Sequence, residues 1–434
     1  MSDADVIVVG GGPAGASTAW ALAKAGADVL ILDRAHFPRD KPCAEYLSPE
    51  ASRILAKMGV LDACEAAGAA HLAGMIVRSP NGAEMRGDFL AQHGFRGFRD
   101  WGLALRRVKL DAIILDSART AGARVGEGAR VTDLISDSRG AVIGVRTLES
   151  GGITRDRMAR IVVGADGLRS IVARKLGVTH TARTPHRFAF VSHFTGIAGM
   201  GDCGEMHLHR DGYIGLADVG GGVTNVGLVV PFKHARGAAG DPAAFMDAWI
   251  AARPHLVPRF ASATRVTAVR TTGPFASRAR RVAMPGAALV GDAADFFDPF
   301  TGEGIFAALR GGELLAPAII ESLAASNAAA AMAALERYDA SRRTHFGGKW
   351  KVERLVGHTI ASPWLADRAI GVLSRRKDLV DLLVGVGGDF IPAETILRPS
   401  FVLGVLLGGI FTPRRSPPAA AIKPAMIPEP DVPR

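Results

Sequence analysis

The chain opens on a short β-branched run, Asp5-Val6-Ile7-Val8-Val9, with no polar residue breaking Val6 to Val9. Such a run predicts a strand covered on both faces. Glycines end it, and residues 16–26, ASTAWALAKAG, then place apolar positions at helical spacing before a second apolar run at 27–34, ADVLILDR. The three together predict a β-α-β unit. Residues 47–68 carry a helical pattern entered by Ser48 as N-cap with Pro49 in the first turn. Residues 74–89 read as a hairpin, because Asn81-Gly82 separates two strand-like stretches. Helical spacing returns at 108–123, strand patterns follow at 131–150, and an apolar strand at 161–164 runs into Ala165-Asp166-Gly167. From about 183 to 273 strand patterns dominate, which predicts an antiparallel module inserted into the first unit. A buried strand at 287–290, a glycine-rich turn and a long helix from 304 complete the first unit.

The last hundred residues differ in kind. Between Ser341 and Lys377 nine Lys/Arg stand against two Asp/Glu, a large share of the chain's net charge of +10. Residues 401–411, FVLGVLLGGIF, form an apolar run of eleven, well short of the roughly 20 that cross a bilayer. The basic segment holds Trp350 and Trp364 and suits a helix lying in a membrane interface, a lid over an apolar tunnel, or simply a solvated charged face. The first of these readings allows a peripheral membrane contact through 341–411, and the solvated face is the commoner one. From Pro413 there are seven prolines in 22 residues, which predicts a disordered tail.

Composition narrows the class. At about 150 residues per domain, 434 residues allow two or three domains. With 48% hydrophobic and 22% charged residues, the chain is neither disordered, collagen-like nor a polytopic membrane protein. Its three cysteines, Cys43, Cys64 and Cys203, show no CxxC spacing, so neither a disulfide framework nor a thiolate zinc site is indicated. No basic residue precedes the first apolar run, which argues against a signal peptide and for a cytoplasmic location. No nucleic-acid partner is expected, since aromatic and basic residues do not interleave.

The chemistry begins at Gly10-Gly11-Gly12-Pro13-Ala14-Gly15, a GxGxxG that leaves a strand and opens a helix. Gly10 permits a tight turn, Gly12 lets backbone approach a pyrophosphate, and Gly15 allows close helix packing. The helix N-terminus offers unpaired N–H groups to the anion. The second strand ends at Asp33, followed by Arg34, where a carboxylate can accept hydrogen bonds from ribose hydroxyls. These features read as a dinucleotide site, without separating NAD from FAD. Glu205, His207 and His209 share one face of a predicted strand, but no further ligand is visible and no metal is expected.

Two distant stretches make the separation: Gly164-Ala165-Asp166-Gly167-Leu168-Arg169-Ser170, and Gly291-Asp292-Ala293-Ala294-Asp295 running on through Asp298-Pro299-Phe300-Thr301-Gly302-Glu303-Gly304-Ile305. With these motifs in order, residues 4–345 resemble the flavoprotein superfamily that includes p-hydroxybenzoate hydroxylase and the geranylgeranyl reductases. The resemblance implies an α/β fold, with a Rossmann-like FAD-binding domain made discontinuously of 1–70, 103–182 and 274–345. An antiparallel β-sheet substrate domain of 71–102 and 183–273 is inserted in it, a helical C-terminal region spans 346–412, and the tail is 413–434. It further implies that FAD lies extended across the first domain. Asp166 and Gly167 then fall near the pyrophosphate, Asp292 on the ribityl chain, Arg107 beside the cofactor and Val131 at the adenine. Pro299, Gly302, Glu303, Gly304 and Ile305 form a loop whose helix N-terminus suits the negative pyrimidine edge of a reduced flavin.

Residues 37–49, FPRDKPCAEYLSP, look like the segment after the second strand in geranylgeranyl reductases, whose cysteine lies near the substrate. Cys43 matches that cysteine, and Cys43 and Tyr46 are the catalytic candidates. From its residue type alone, Cys43 also reads as a small buried apolar side chain. The family's glycines after the cysteine are Ala44 and Glu45 here, and its Tyr-x-Trp-x-Phe-Pro pattern is replaced by Tyr213-Ile214-Gly215-Leu216-Ala217-Asp218. The resemblance implies an NAD(P)H-dependent monooxygenase acting on an apolar aromatic, polyketide or lipid substrate, with NAD(P)H visiting transiently as electron donor. The alternatives are a reductase saturating C=C bonds of an isoprenoid or polyketide, and a non-catalytic flavin redox protein at a membrane surface.

Overall fold

A computed structural model describes residues 2–92, 94–181, 186–238 and 240–407. The first apolar run forms strand β1, Ala4–Val9, and the second forms β2, Val29–Leu32, paired parallel to it. Helix α1, Pro13–Lys24, makes the crossover between them. On the other side of β1 lies β3, Thr154–Gly164, again parallel, followed by Ala287–Leu289. The strand order is Ala283–Met284, Ala287–Leu289, β3, β1, β2, Arg124–Gly126. A parallel sheet must be covered on both faces. Helix α2, Arg107–Thr120, and helix α3, Gly304–Ala324, both pack beside α1. α3 approaches α1 so closely that a Cβ on Gly312 would lie 2.6 Å from Ser17 Oγ.

The second sheet is built on β4, Arg187–Thr195; β5, Cys203–His209; β6, Gly212–Asp218; and β7, Val223–Pro231. Its order is Thr264–Arg265, β4, β7, β6, β5, Gly74–Arg78, Glu84–Asp88. The expected hairpin is present, with Met75 opposite Gly87 and Gly82 at φ 90° in the turn. One feature corrects the sequence reading: the sheet is not wholly antiparallel, because Gly74–Arg78 joins β5 in parallel. That strand arrives from a distant part of the chain, so no local turn constrains its direction. Side chains alternate across this sheet. Ala189, Val191, Met206, Tyr213 and Val229 face one core with Leu72 and Phe275, while Phe190, Ile214, Val226 and Leu228 pack beneath helices Pro242–Ala251 and Val257–Phe260.

Helix α4, Ala328–Ala361, starts the helical C-terminal region, followed by α5, Pro363–Leu373, and α6, Lys377–Gly387. α6 covers the Glu84–Asp88 strand, where a Cβ on Gly87 would lie 2.6 Å from Val384 Cγ2 and where Asp381 accepts the Asp88 N–H at 3.0 Å. An otherwise open edge strand is thereby closed. The expected α/β class, inserted sheet and helical C-terminal region are all observed. Among the described residues no helix is long and apolar enough to cross a membrane. The apolar run enters helix Pro399–Leu407; residues 408–412 and the expected tail 413–434 lie outside the described residues.

Candidate flavin site

The glycine turn after β1 is dictated by space. Gly10 has φ +104°, and a Cβ there would lie 2.6 Å from Ala165 O; one on Gly15 would lie 1.8 Å from Gly10 O. Gly12 is the N-cap of α1, with no side-chain cap and no acid in the first turn. The first N–H groups of α1 are thus left for an anion. Asp33 is buried; its Oδ2 accepts the Gly11 N–H and its Oδ1 the Ala35 N–H, both at 2.8 Å. Each oxygen keeps a lone pair for a ribose hydroxyl. Arg34 is exposed beside it.

Cations gather over this turn. Buried Arg107 donates Nε and Nη2 to the two oxygens of Asp111 at 2.6 and 2.7 Å, and Arg39 Nη1 lies 2.7 Å from the same Asp111 Oδ2. A Cβ on Gly12 would sit 3.3 Å from Arg39 Nη2 and 3.8 Å from Arg107 Nη2. Two guanidiniums share one carboxylate, leaving positive charge where a pyrophosphate would lie. Lys41 stands over Gly167, its Nζ 3.2 Å from where a Cβ would be. Burial holds its pKa down, with Arg107 and Arg39 adding to the effect and Asp292 opposing it. Asp166 accepts the Ile171 N–H on Oδ2 at 2.6 Å, while its buried Oδ1 has no partner. Burial raises its pKa.

The third motif forms the opposite wall. Asp298 accepts the Phe300 N–H at 3.1 Å and is held by Arg187 Nη1 and Tyr213 Oη, both at 2.6 Å. Gly302 has φ +72°, and a Cβ on it would strike Tyr46 Cδ1 at 2.8 Å. α3 then begins at Gly304 with no side-chain cap, a second helix N-terminus open to an anion. Tyr46 is buried against Phe89, ring centroids 6.0 Å apart, and its hydroxyl has no partner. Burial, with Glu303, raises its pKa well above the phenol range. Cys43 is half-buried, whereas Cys64 and Cys203 are buried thiols that burial pushes up to about 12.

These elements enclose a cavity of about 1510 Å³ of empty space, counting its open mouth. Gly12, Pro13, Ala14, Cys43, Tyr46, Arg107, Gly167, Asp292, Pro299, Gly302, Gly304 and Ile305 line it, and Leu72, Met75, Ala189, Val191, Met206 and Val229 form an apolar wall from the second sheet. Gly10 and Gly15 frame it from behind. Asp33, Arg34 and Val131 stand beyond its lining; the Ala129 N–H donates to Asp33 O at 2.9 Å, which brings the buried Val131 strand alongside. Glu303 departs from expectation: it lines a neighbouring cavity instead, 3.4 Å from Lys349 Nζ.

Sequence reasoning missed Arg39, Lys41, Glu45, Asp111, His193 and Asn225. Asp111 carried a signal, standing four residues after Arg107 on a helix; His193 and Asn225 carried none. Among the described residues, no group of three metal-ligating side chains could hold an ion. Glu205 instead pairs with Arg259 and with His207 Nε2 at 2.8 Å.

A buried Asp33, two arginines, two uncapped helix ends and a glycine loop together fit an extended flavin dinucleotide. The chain belongs to the FAD binding domain family, whose model matches residues 3–349. It is 32% identical to the menaquinone reductase of Mycobacterium tuberculosis (strain ATCC 25618 / H37Rv) over 332 residues, covering 72% of this chain and 76% of that one. The digeranylgeranylglycerophospholipid reductase of Methanosarcina mazei is 30% identical, over 74% of this chain and 76% of its own length. In structure, a flavin-dependent brominase superposes with a TM-score of 0.77 at 22% identity, covering 90% of this chain and 95% of its own. The protein is an FAD-dependent oxidoreductase of the p-hydroxybenzoate hydroxylase superfamily, geranylgeranyl reductase-like.

Proposed function

We propose that the chain saturates a carbon–carbon double bond in an apolar, isoprenoid-bearing substrate, with NAD(P)H visiting as electron donor. One observation carries this reading: the cavity divides into a charged half around Gly12, Arg107 and Asp292 and an apolar half of Leu72, Met75, Ala189, Val191, Met206 and Val229, with Cys43 and Tyr46 also lining it. The reductase relatives point the same way. FAD, when bound, supplies the two-electron chemistry.

The chain's own residues supply position and field. Arg39, Arg107 and the N-terminus of α1 bind the pyrophosphate, Asp33 the ribose, and the N-terminus of α3 the pyrimidine edge. The apolar wall excludes water and fits an alkene chain or ring. Tyr46, its pKa raised, keeps its proton on Oη and lacks a protein partner, so it can donate a hydrogen bond into the cavity. Cys43 lines the same cavity and is the other candidate for substrate contact.

A monooxygenase is the second reading, favoured by the stretch at 213–218. Tyr213 holds Asp298 there, and no Trp or Phe takes part. Anaerobic turnover of polyprenyl quinone or geranylgeranyl lipid with reduced enzyme should give product heavier by two hydrogens. Product carrying oxygen from labelled dioxygen, with no anaerobic turnover, would replace the first reading by the second.

A further inference from the structure

We propose that Glu45 is a positioning residue: with His193 and Asn225 it clasps the Cys43 turn to the substrate sheet and so fixes the cysteine sulfur at the cavity wall. The proposal rests on this cavity being the reaction chamber, not on which reaction occurs there. Glu45 has φ 61°, in the left-handed region that L residues avoid and glycine enters freely. Backbone shape alone would favour glycine, so the side chain must justify its presence. Its carboxylate is wholly buried and fully engaged. Oε1 accepts the Arg107 N–H at 2.7 Å; Oε2 accepts Asn225 Nδ2 at 3.0 Å and meets His193 Nε2 at 2.7 Å.

The two sheet residues are preset for this. His193 and Asn225 face each other across β4 and β7. Thr267 Oγ1 accepts the His193 N–H at 2.9 Å and lies 3.1 Å from His193 Nδ1. This contact turns the ring so that Nε2 faces Glu45. The same groups grip Cys43 from two sides. Asn225 Nδ2 donates to the Cys43 carbonyl at 2.8 Å, and the Glu45 N–H points at Cys43 Sγ at 3.4 Å. Arg107, which lines the same cavity as Cys43, is held through its backbone N–H by the same carboxylate.

Alkylation of the FAD-loaded protein by iodoacetamide, mapped by mass spectrometry, tests the clasp directly and reads the thiol whatever the reaction proves to be. Cys64 and Cys203, both buried, serve as internal controls. Glu45→Gly suits the backbone but removes the carboxylate and should speed Cys43 alkylation about tenfold, the loss of charge-assisted hydrogen bonds appearing as local opening. Glu45→Gln keeps an acceptor for Arg107 but turns an amide NH2 toward the Asn225 Nδ2 donor, so it should also speed Cys43 alkylation, though less than Glu45→Gly does. Asn225→Leu should also accelerate Cys43, and carries the test alone should Glu45→Gly not fold. Cys43 reacting at the wild-type rate in Glu45→Gly or Asn225→Leu overturns the clasp. So does a parallel rise at Cys64 and Cys203, which would mean general loosening.

Discussion

Asp111 shows how much can depend on one carboxylate. It is fully buried and holds two guanidiniums, Arg107 and Arg39, over the glycine turn. Removing one partner of a buried ionic cluster typically costs about 3–5 kcal/mol, because the remaining charge stays desolvated and unpaired. Asp111→Asn should therefore lower Tm by several degrees and weaken FAD binding, as the arginines lose their orientation. A given excess of FAD should then add less Tm to the variant than to wild type, because a ligand stabilises the fold only as far as its affinity allows. Calorimetry with and without FAD checks this, and an unchanged Tm and FAD affinity would remove Asp111 from the site. The same scale explains what the sequence could reveal. Gly10, Gly15 and Asp33 are legible because they act within one β-α-β unit, where spacing fixes geometry. Glu45 reaches His193 and Asn225 across 148 and 180 residues, and no local pattern announces such a meeting.

Strand β5 carries alternate residues to the outer face of the second sheet, as its period of two predicted, but their chemistry differs from metal binding. His207, His209 and His255 lie side by side, with His255 stacked on both others at 5.3 and 5.2 Å. Arg253, Arg259 and Arg78 surround them, with Glu205 and Asp211 as the acids. Burial first, then neighbouring cations, lowers the pKa of His209 and His255 from 6.5 to about 4. The sign follows from linkage: as pH falls below 6.5 the unfolded chain takes up protons that the folded chain refuses, so stability is lost from there down to about pH 4. Glu205, with a pKa lowered to about 2, stays ionised through most of that window and steepens the loss only at its acid end. Tm should thus fall across this range, and His209→Gln with His255→Gln should flatten the fall. A double variant with the wild-type Tm–pH slope would show that other groups control it. The Glu205–His207–His209 face was legible in sequence; its arginines were not, because Arg78 comes from strand Gly74–Arg78, Arg253 from the segment after helix Pro242–Ala251 and Arg259 from helix Val257–Phe260.

For the whole molecule, the C-terminal charge excess changes meaning once folded. Arg342 pairs with Asp295, Lys349 with Asp389 and Glu303, Arg343 with Asp339, Arg376 with Asp378, and Lys377 with Asp88 and Asp381. At least five of the nine cations between 341 and 377 are therefore paired with the protein's own carboxylates, some fastening the helical region to the other two units. Beside exposed basic side chains such as Lys351, Arg354 and Arg375, the region also shows apolar ones to solvent: Trp364 is 72% exposed on α5, and Leu403 is 43% exposed on the neighbouring helix Pro399–Leu407. We propose that contact with a membrane, where an isoprenoid substrate would reside, uses this face by insertion and owes little to charge. Internally paired cations add little surface potential, whereas an exposed indole settles at the headgroup level. Vesicle flotation should then recover the protein on neutral as well as anionic lipid, with recovery surviving a rise in salt that screens surface charge. Trp364→Ala should reduce recovery while leaving FAD content unchanged. Binding to anionic vesicles alone, abolished by salt and indifferent to Trp364→Ala, would return the role to the exposed basic residues of this region.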